Sequence, residues 1–192
     1  HAFLKLSAAL ATGMLLSTAV RAQTTINVAA LADFAGPYAN VMNDMQGGRL
    51  AVVEWWNKEV GEKLKVRIVV KTYDTRYDVA QTASLWPGIK AELKPALVLG
   101  LGGPDAAALQ QRLPEDKVPM LFGTAAYGFG WKPNQWALNI RPTYPHEAAG
   151  FLEWFRSAKL ENKRPVKVAI ITSEATPAYA DMAKGLQSYT KA

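Results

Sequence analysis

Short apolar runs rich in valine and isoleucine alternate along this chain with stretches of helical period, and that alternation constrains the fold more than any other feature. Residues 26–31, 65–73, 96–100, 118–122, 136–140 and 166–172 read as strands. Between them, residues 38–60, 104–113, 145–159 and 178 onward read as helices, as does the segment that follows Asp78. Strands this uniformly apolar are buried on both faces, and parallel strands need helical crossovers to connect them. The expected fold class is α/β, a doubly wound parallel sheet, with the beginning of a second α/β lobe after it.

Local signals refine the elements. Val41, Met45, Gly48, Val52 and Trp55 recur at alternating spacings of four and three, which predicts one buried stripe on the first helix, with Gly61 as its terminator. The Trp55-Trp56 pair ends that stripe and reads as core. Val66, Ile68 and Val70 share one face of the second strand. Asp78 caps a helix whose apolar positions are Val79, Ala83 and Trp86, and Pro87 is expected to kink or end it. Pro145 opens a helix capped by Thr143 or Tyr144. Residues 124–135 form the longest irregular segment.

The N-terminus has the layout of an export leader. Lys5 supplies a positive start, residues 6–20 carry no charge, and Val20-Arg21-Ala22 places small residues at −3 and −1 of a cut before Gln23. Fifteen apolar or small residues fall short of the roughly 20 needed to cross a bilayer. An amphipathic or buried N-terminal helix is the alternative, but residues 6–20 are apolar around the whole circumference. The expected division is therefore a signal peptide over residues 1–22, a first lobe over 23–142 and the start of a second lobe over 143–192. Because the first residue is His and Ala192 falls inside a helical period, the chain reads as a piece of a longer one.

Composition narrows the function. The formal charge of +6 drops to +4 once Lys5 and Arg21 leave with the leader, and both signs are scattered, so no nucleic-acid footprint is expected. No cysteine is present, which excludes a disulfide framework, a thiolate zinc site and a cysteine nucleophile. Of two histidines only His146 lies within the fold, and beside Glu147 at a helix start it reads as a capping or solvated residue. Asp74 and Asp78 flank Arg76 as a local ion pair and helix cap rather than an acid/base pair. With no nucleophile paired to a base and no metal-ligand cluster, an enzyme is not expected, and neither a cofactor nor a metal is called for.

In an open parallel sheet, ligands bind beyond the carboxyl ends of the strands. Three such ends stand out. After the first strand, Asp33-Phe34-Ala35-Gly36-Pro37-Tyr38 either walls a cleft with Phe34 or Tyr38 or plugs the strand–helix junction with them. After the third, Gly102, Gly103, Pro104 and Asp105 offer a helix start with free N–H groups; Asp105 either complements the helix dipole or receives a ligand donor. After the fourth, Thr124, Ala125 and Ala126 leave room for a ligand beside one hydroxyl, or simply make a turn that needs small residues.

These residues carry a resemblance. Residues 26–38 resemble the mature start of the leucine/isoleucine/valine-type receptors, the type I periplasmic substrate-binding proteins of ABC importers. Residues 48–57 are similar to that family's first helix, Tyr73-Asp74-Thr75-Arg76-Tyr77-Asp78 to its acidic turn after strand two, and residues 115–121 to its entry to strand four. Ala169-Ile170-Ile171 with Tyr179 resembles the opening of its second lobe, so the likeness spans residues 23–192. The resemblance implies two lobes around a cleft joined by three crossings. It further implies ligand contacts from Tyr38, from Gly103, Pro104 and Asp105, and from Thr124, Ala125 and Ala126, with Tyr179 closing from the second lobe. Gly-Gly-Pro-Asp stands where amino-acid-binding members have serines, and Ala126 where they have a hydroxyl residue. Amides, urea-like molecules and aromatic acids are then as admissible as α-amino acids.

The implied function is a non-enzymatic periplasmic receptor for a small-molecule solute. Its partners are that solute and the membrane subunits of an ABC importer, with no nucleic acid and no membrane insertion once the leader is cut. A sensor domain of a signalling receptor with the same fold is the alternative, and a flavodoxin-like enzyme the third. Residues 166–172 would lack neighbouring strands in a chain of this extent and are expected to expose their apolar side chains.

Overall fold

The computed structural model describes residues 23–123, 136–172 and 177–191; the leader, Thr124, Ala125 and Ala126 lie outside the described residues. Five strands form one sheet: β1 (Thr24–Ala32), β2 (Val66–Asp74), β3 (Leu97–Gly100), β4 (Met120–Phe122) and β5 (Ala137–Asn139). Their order is β2-β1-β3-β4-β5 and every pair is parallel. The chain steps from β1 to β2 on one side and then crosses back to β3 on the other, so strand order reverses between β1 and β3. That is the place where an open α/β sheet presents a crevice.

Register assigns the two faces. Ala29, Val98, Met120 and Ala137 align across four strands and point the same way. They join Leu31 and Phe122 in a core completed by Trp86 and Ile89 from α2 (Val79–Leu93), Ala106 and Leu109 from α3 (Gly103–Leu109), and Leu113 from α4 (Leu113–Asp116). The opposite row, Ala30, Leu99, Leu121 and Leu138, lies on the face that α1 (Ala39–Trp56) packs against near β1 and β2. Leu138, at the far end of that row, is 46% exposed.

The buried side of α1 differs from the expected stripe. Met42 and Gln46 are buried, and Arg49, Val53 and Trp56 half-buried, whereas Val41, Met45, Val52 and Trp55 face solvent. The apolar period and the burial period are offset by one residue because the sheet contacts are polar. Gln46 Nε2 donates to Thr72 Oγ1 at 2.6 Å, and the Arg49 guanidinium donates to the carbonyls of Leu31 and Gly100 at 2.9 and 3.1 Å. Gly61 does not end the helix either. It lies in a π-helical turn, Asn57–Gly61, and a final turn runs over Glu62–Leu64 to Lys65, which takes the left-handed cap at φ 54°. A Cβ on Gly61 would sit 2.5 Å from the Val66 carbonyl oxygen, so close packing rather than turn geometry demands glycine here. Asn57 pairs in both directions with Ile68, covering part of the open edge of β2 as another strand would.

In α2, Asp78 caps as expected, accepting from the Gln81 N–H at 2.7 Å. Pro87 stays inside the helix, which continues to Leu93. Proline leaves the carbonyl four residues earlier without its N–H donor. That carbonyl belongs to Ala83, and Arg112 Nη1 donates to it at 3.0 Å.

Beyond the sheet lie α5 (Tyr144–Ala158) and α6 (Pro177–Lys191), packed on each other, with the Tyr189 hydroxyl on Glu153 and Gly185 close against Pro145. Thr143 takes the N-cap position of α5, its hydroxyl bonded to His146 Nδ1 at 2.6 Å. Residues 166–172, a strand by composition, form no ladder among the described residues. A parallel strand exists only through its neighbours, and Ile171 is accordingly 96% exposed.

Candidate ligand site at the carboxyl edge of the sheet

The loop after β1 is built on a buried acid. Asp33 is fully buried, and its carboxylate accepts from the backbone N–H groups of Gly36 at 2.6 Å and Tyr38 at 2.8 Å. A Cβ at Gly36 would lie 2.4 Å from Asp33 Oδ1 and 2.5 Å from the Arg76 carbonyl oxygen, so only glycine lets this loop close on its own acid. The loop after β2 is tied to it: Asp74 Oδ1 accepts from the N–H groups of Phe34 and Arg76, and the Thr75 N–H donates to the Ala32 carbonyl. Arg76 and Tyr77 both adopt left-handed backbone (φ 52° and 53°), and the Tyr77 ring meets Tyr38 edge-on, with centroids 4.8 Å apart.

Tyr38 is thus held on a rigid mount. Its hydroxyl meets that of Tyr179, in the first turns of α6, at 3.1 Å. The bond to Tyr179 is the main cause of a Tyr38 pKa far above the usual phenol range; burial and the nearby phenols of Tyr77, Tyr179 and Tyr144 add to it. The Tyr179 carbonyl in turn accepts from the Thr172 hydroxyl at 3.2 Å. Phe34, the other aromatic of this loop, is exposed.

The loop after β3 works inward. Gly103, Pro104 and Asp105 are all buried. Asp105 Oδ2 accepts from the N–H groups of Leu101 (2.7 Å) and Gly102 (3.3 Å), and Oδ1 from the hydroxyls of Thr82 (3.2 Å) and Thr75 (3.3 Å). The N–H groups of Leu101 and Gly102 are therefore satisfied by the protein's own carboxylate. Burial pushes the Asp105 carboxyl above its usual range, and the four donors pull against that shift. Arg49 feels the Asp105 charge, which offsets part of the lowering that its own burial causes. Asp105 braces the ends of β2, α2 and α3 where they meet.

The structure thus brings Tyr38 and Tyr179 together, buries Gly103, Pro104 and Asp105, and turns the Asp105 carboxylate onto the protein's own donors. Sequence reasoning missed Arg49, which ties the carboxyl ends of β1 and β3 across the switch point, and Thr75 and Thr82, which hold Asp105. Arg49 follows Met42 and Gln46 at spacings of four and three, so a stripe that admitted polar residues would have found it. Glu147 pairs with Arg141 rather than with any reacting group. Among the described residues no cluster of three His, Asp or Glu is placed to hold a metal, and no helix is long and apolar enough to cross a membrane.

A substrate-binding protein of an ABC transporter from Aeropyrum pernix superposes with a TM-score of 0.69 at 20% identity, over 87% of this chain and 44% of its own. A branched-chain amino acid ABC transporter protein from Thermus thermophilus, with bound valine, gives 0.72 at 16% identity, over 88% and 43%. A solute-binding protein from R. palustris in complex with 4-hydroxybenzoate gives 0.66 at 21% identity, over 87% and 44%. This chain spans less than half the length of each. No curated protein sequence matches it. The family model described as periplasmic binding protein matches residues 25–192, and the chain belongs to that family, its parallel sheet being a lobe of the type I fold.

Proposed function

We propose that this protein is an extracytoplasmic solute-binding receptor, which hands a small polar solute (an amino acid, an amide or a related organic acid) to the membrane subunits of an ABC importer. The observation that carries this reading is the meeting of Tyr38 and Tyr179. Two tyrosines 141 positions apart, one beyond the end of β1 and one from α6, converge beside the point where strand order reverses. A first lobe over residues 23–142 and a second from 143 would each contribute one of them. Closure of the two lobes over a solute follows from differential affinity: the solute touches both lobes only when they are shut, so it favours that state.

In this reading Tyr38 and Tyr179 line the entrance, and Thr124, Ala125 and Ala126 contact the solute. Gly103 and Pro104 contribute the turn after β3 to the solute site, and Asp105 fixes that turn from behind. No step breaks a bond in the solute, and neither a cofactor nor a metal is required. Residues 1–22 direct the protein to the periplasm and are removed.

Two of the three relatives named above are described with valine or 4-hydroxybenzoate, and a further one as a fatty acid ABC transporter substrate-binding protein. The test is therefore a panel of solute classes. Full-length protein is titrated by calorimetry with L-valine, acetamide, urea and 4-hydroxybenzoate. One class is expected to bind and to raise the melting temperature, with about 2.7 kcal/mol of added stability at a hundred times Kd. Absence of binding by every class would sink the reading.

A further inference from the structure

Tyr38 and Tyr179 do more than share an entrance, because their hydroxyls bond to each other. At 3.1 Å no solute atom fits between them, so the contact is made by the protein alone. Both partners are mounted firmly. Tyr38 sits on a loop whose N–H groups at Gly36 and Tyr38 are held by buried Asp33, and its ring rests edge-on against Tyr77. Tyr179 sits in the first turns of α6, which packs on α5, and its carbonyl is held by Thr172.

We propose that Tyr38 and Tyr179 form a clasp that draws the two lobes together without help from the solute, so that the protein itself sets part of its affinity. The inference rests on the two-lobe receptor reading and adds a regulation of the same site. Apparent affinity is the intrinsic affinity scaled by the fraction of molecules already in the binding-competent arrangement. A hydroxyl pair between two fixed posts raises that fraction for every solute alike. A tyrosine that instead touches the solute discriminates between solutes. The two roles are therefore separable by experiment.

The variants are Tyr38→Phe, Tyr179→Phe and the double variant, in full-length protein, each checked for an unchanged circular dichroism spectrum. Either single change removes the same bond and leaves both rings in place, shifting the open–closed ratio about two- to tenfold. Small-angle X-ray scattering without solute is expected to show the same increase in mean radius of gyration in all three variants. Unchanged radii, or a double variant that expands by the sum of the single effects, overturns the clasp. Calorimetry with two members of whichever panel class binds (L-valine and L-leucine, acetamide and propionamide, urea and methylurea, or 4-hydroxybenzoate and benzoate) supplies the second arm. Any probe that binds is expected to weaken by one common factor in all three variants, and factors that differ between probes overturn the clasp. If no class of the panel binds, the receptor reading loses its support, while the scattering result still decides whether the clasp exists.

Discussion

Replacing Asp105 with alanine should be among the most damaging single changes in the first lobe, whereas asparagine should be tolerated. The alanine variant leaves the buried N–H groups of Leu101 and Gly102 without an acceptor. Each orphaned donor costs about 1–3 kcal/mol. Removing a buried carboxylate also relieves its desolvation cost, so the expected loss lies in the lower half of the summed range, about 3 kcal/mol. Asparagine can keep its carbonyl oxygen on the two N–H groups and turn its amide toward Thr75 and Thr82. Those hydroxyls already have alternative acceptors in the carbonyls of Ala32 (3.2 Å) and Asp78 (2.7 Å), so they can accept from the amide and donate there. The Asn variant should therefore lose no more than about 1 kcal/mol. Urea denaturation reads the difference: at a slope near 2 kcal/mol/M, alanine lowers the midpoint by about 1.5 M and asparagine by about 0.5 M or less. The pH dependence adds a second check. Burial raises the Asp105 carboxyl above its ordinary 3.8, so the stability it contributes is fully present below that value and is lost as pH rises through the folded-state value. Relative to the Asn variant, wild type should gain stability as pH falls from neutral toward 3.8. An alanine variant no less stable than asparagine would refute the bracing role.

Three further changes test the packing. Gly36→Ala drives a Cβ to within 2.4 Å of Asp33 Oδ1 and must break the loop that carries Tyr38; thermal unfolding should show a loss of about 2 kcal/mol, and an unaffected melting temperature would contradict the loop geometry. Arg112→Ala should cost about 0.5–1 kcal/mol in wild type yet almost nothing in a Pro87→Ala background, because an alanine N–H at position 87 can serve the Ala83 carbonyl itself; additive effects in the double-mutant cycle would count against the substitution of one donor for another. Met42→Ala should cost about 2–5 kcal/mol and Val52→Ala under about 0.5, since Met42 is buried and Val52 largely exposed; the reverse order would restore the stripe that sequence periodicity predicts.

The fold was legible because its signals are local. Alternating apolar runs and helical periods located every strand of the sheet to within two residues at its start, and Asp78 announced its cap. The errors arose where a distant group settles a local question. Pro87 reads as a breaker until Arg112 arrives from 25 residues further on to serve the stranded carbonyl. The apolar stripe of α1 points to solvent because Gln46 and Arg49, not leucines, find partners on the sheet. Residues 166–172 have the composition of a strand but no neighbour to pair with, and composition cannot supply one. At the site, the position of Asp105 was readable and its direction was not. Whether a carboxylate at a helix start faces a ligand or turns inward depends on the threonines at 75 and 82, which lie on other elements.

In the proposed receptor, a solute brings two lobes together at the edge carrying Tyr38 and Tyr179. Small-angle X-ray scattering of full-length protein, titrated with whichever of L-valine, acetamide, urea or 4-hydroxybenzoate calorimetry shows to bind, addresses it most directly. The radius of gyration is expected to fall with solute concentration and to saturate at the calorimetric stoichiometry. Saturating solute with an unchanged radius, in wild type and in Tyr38→Phe alike, would contradict it.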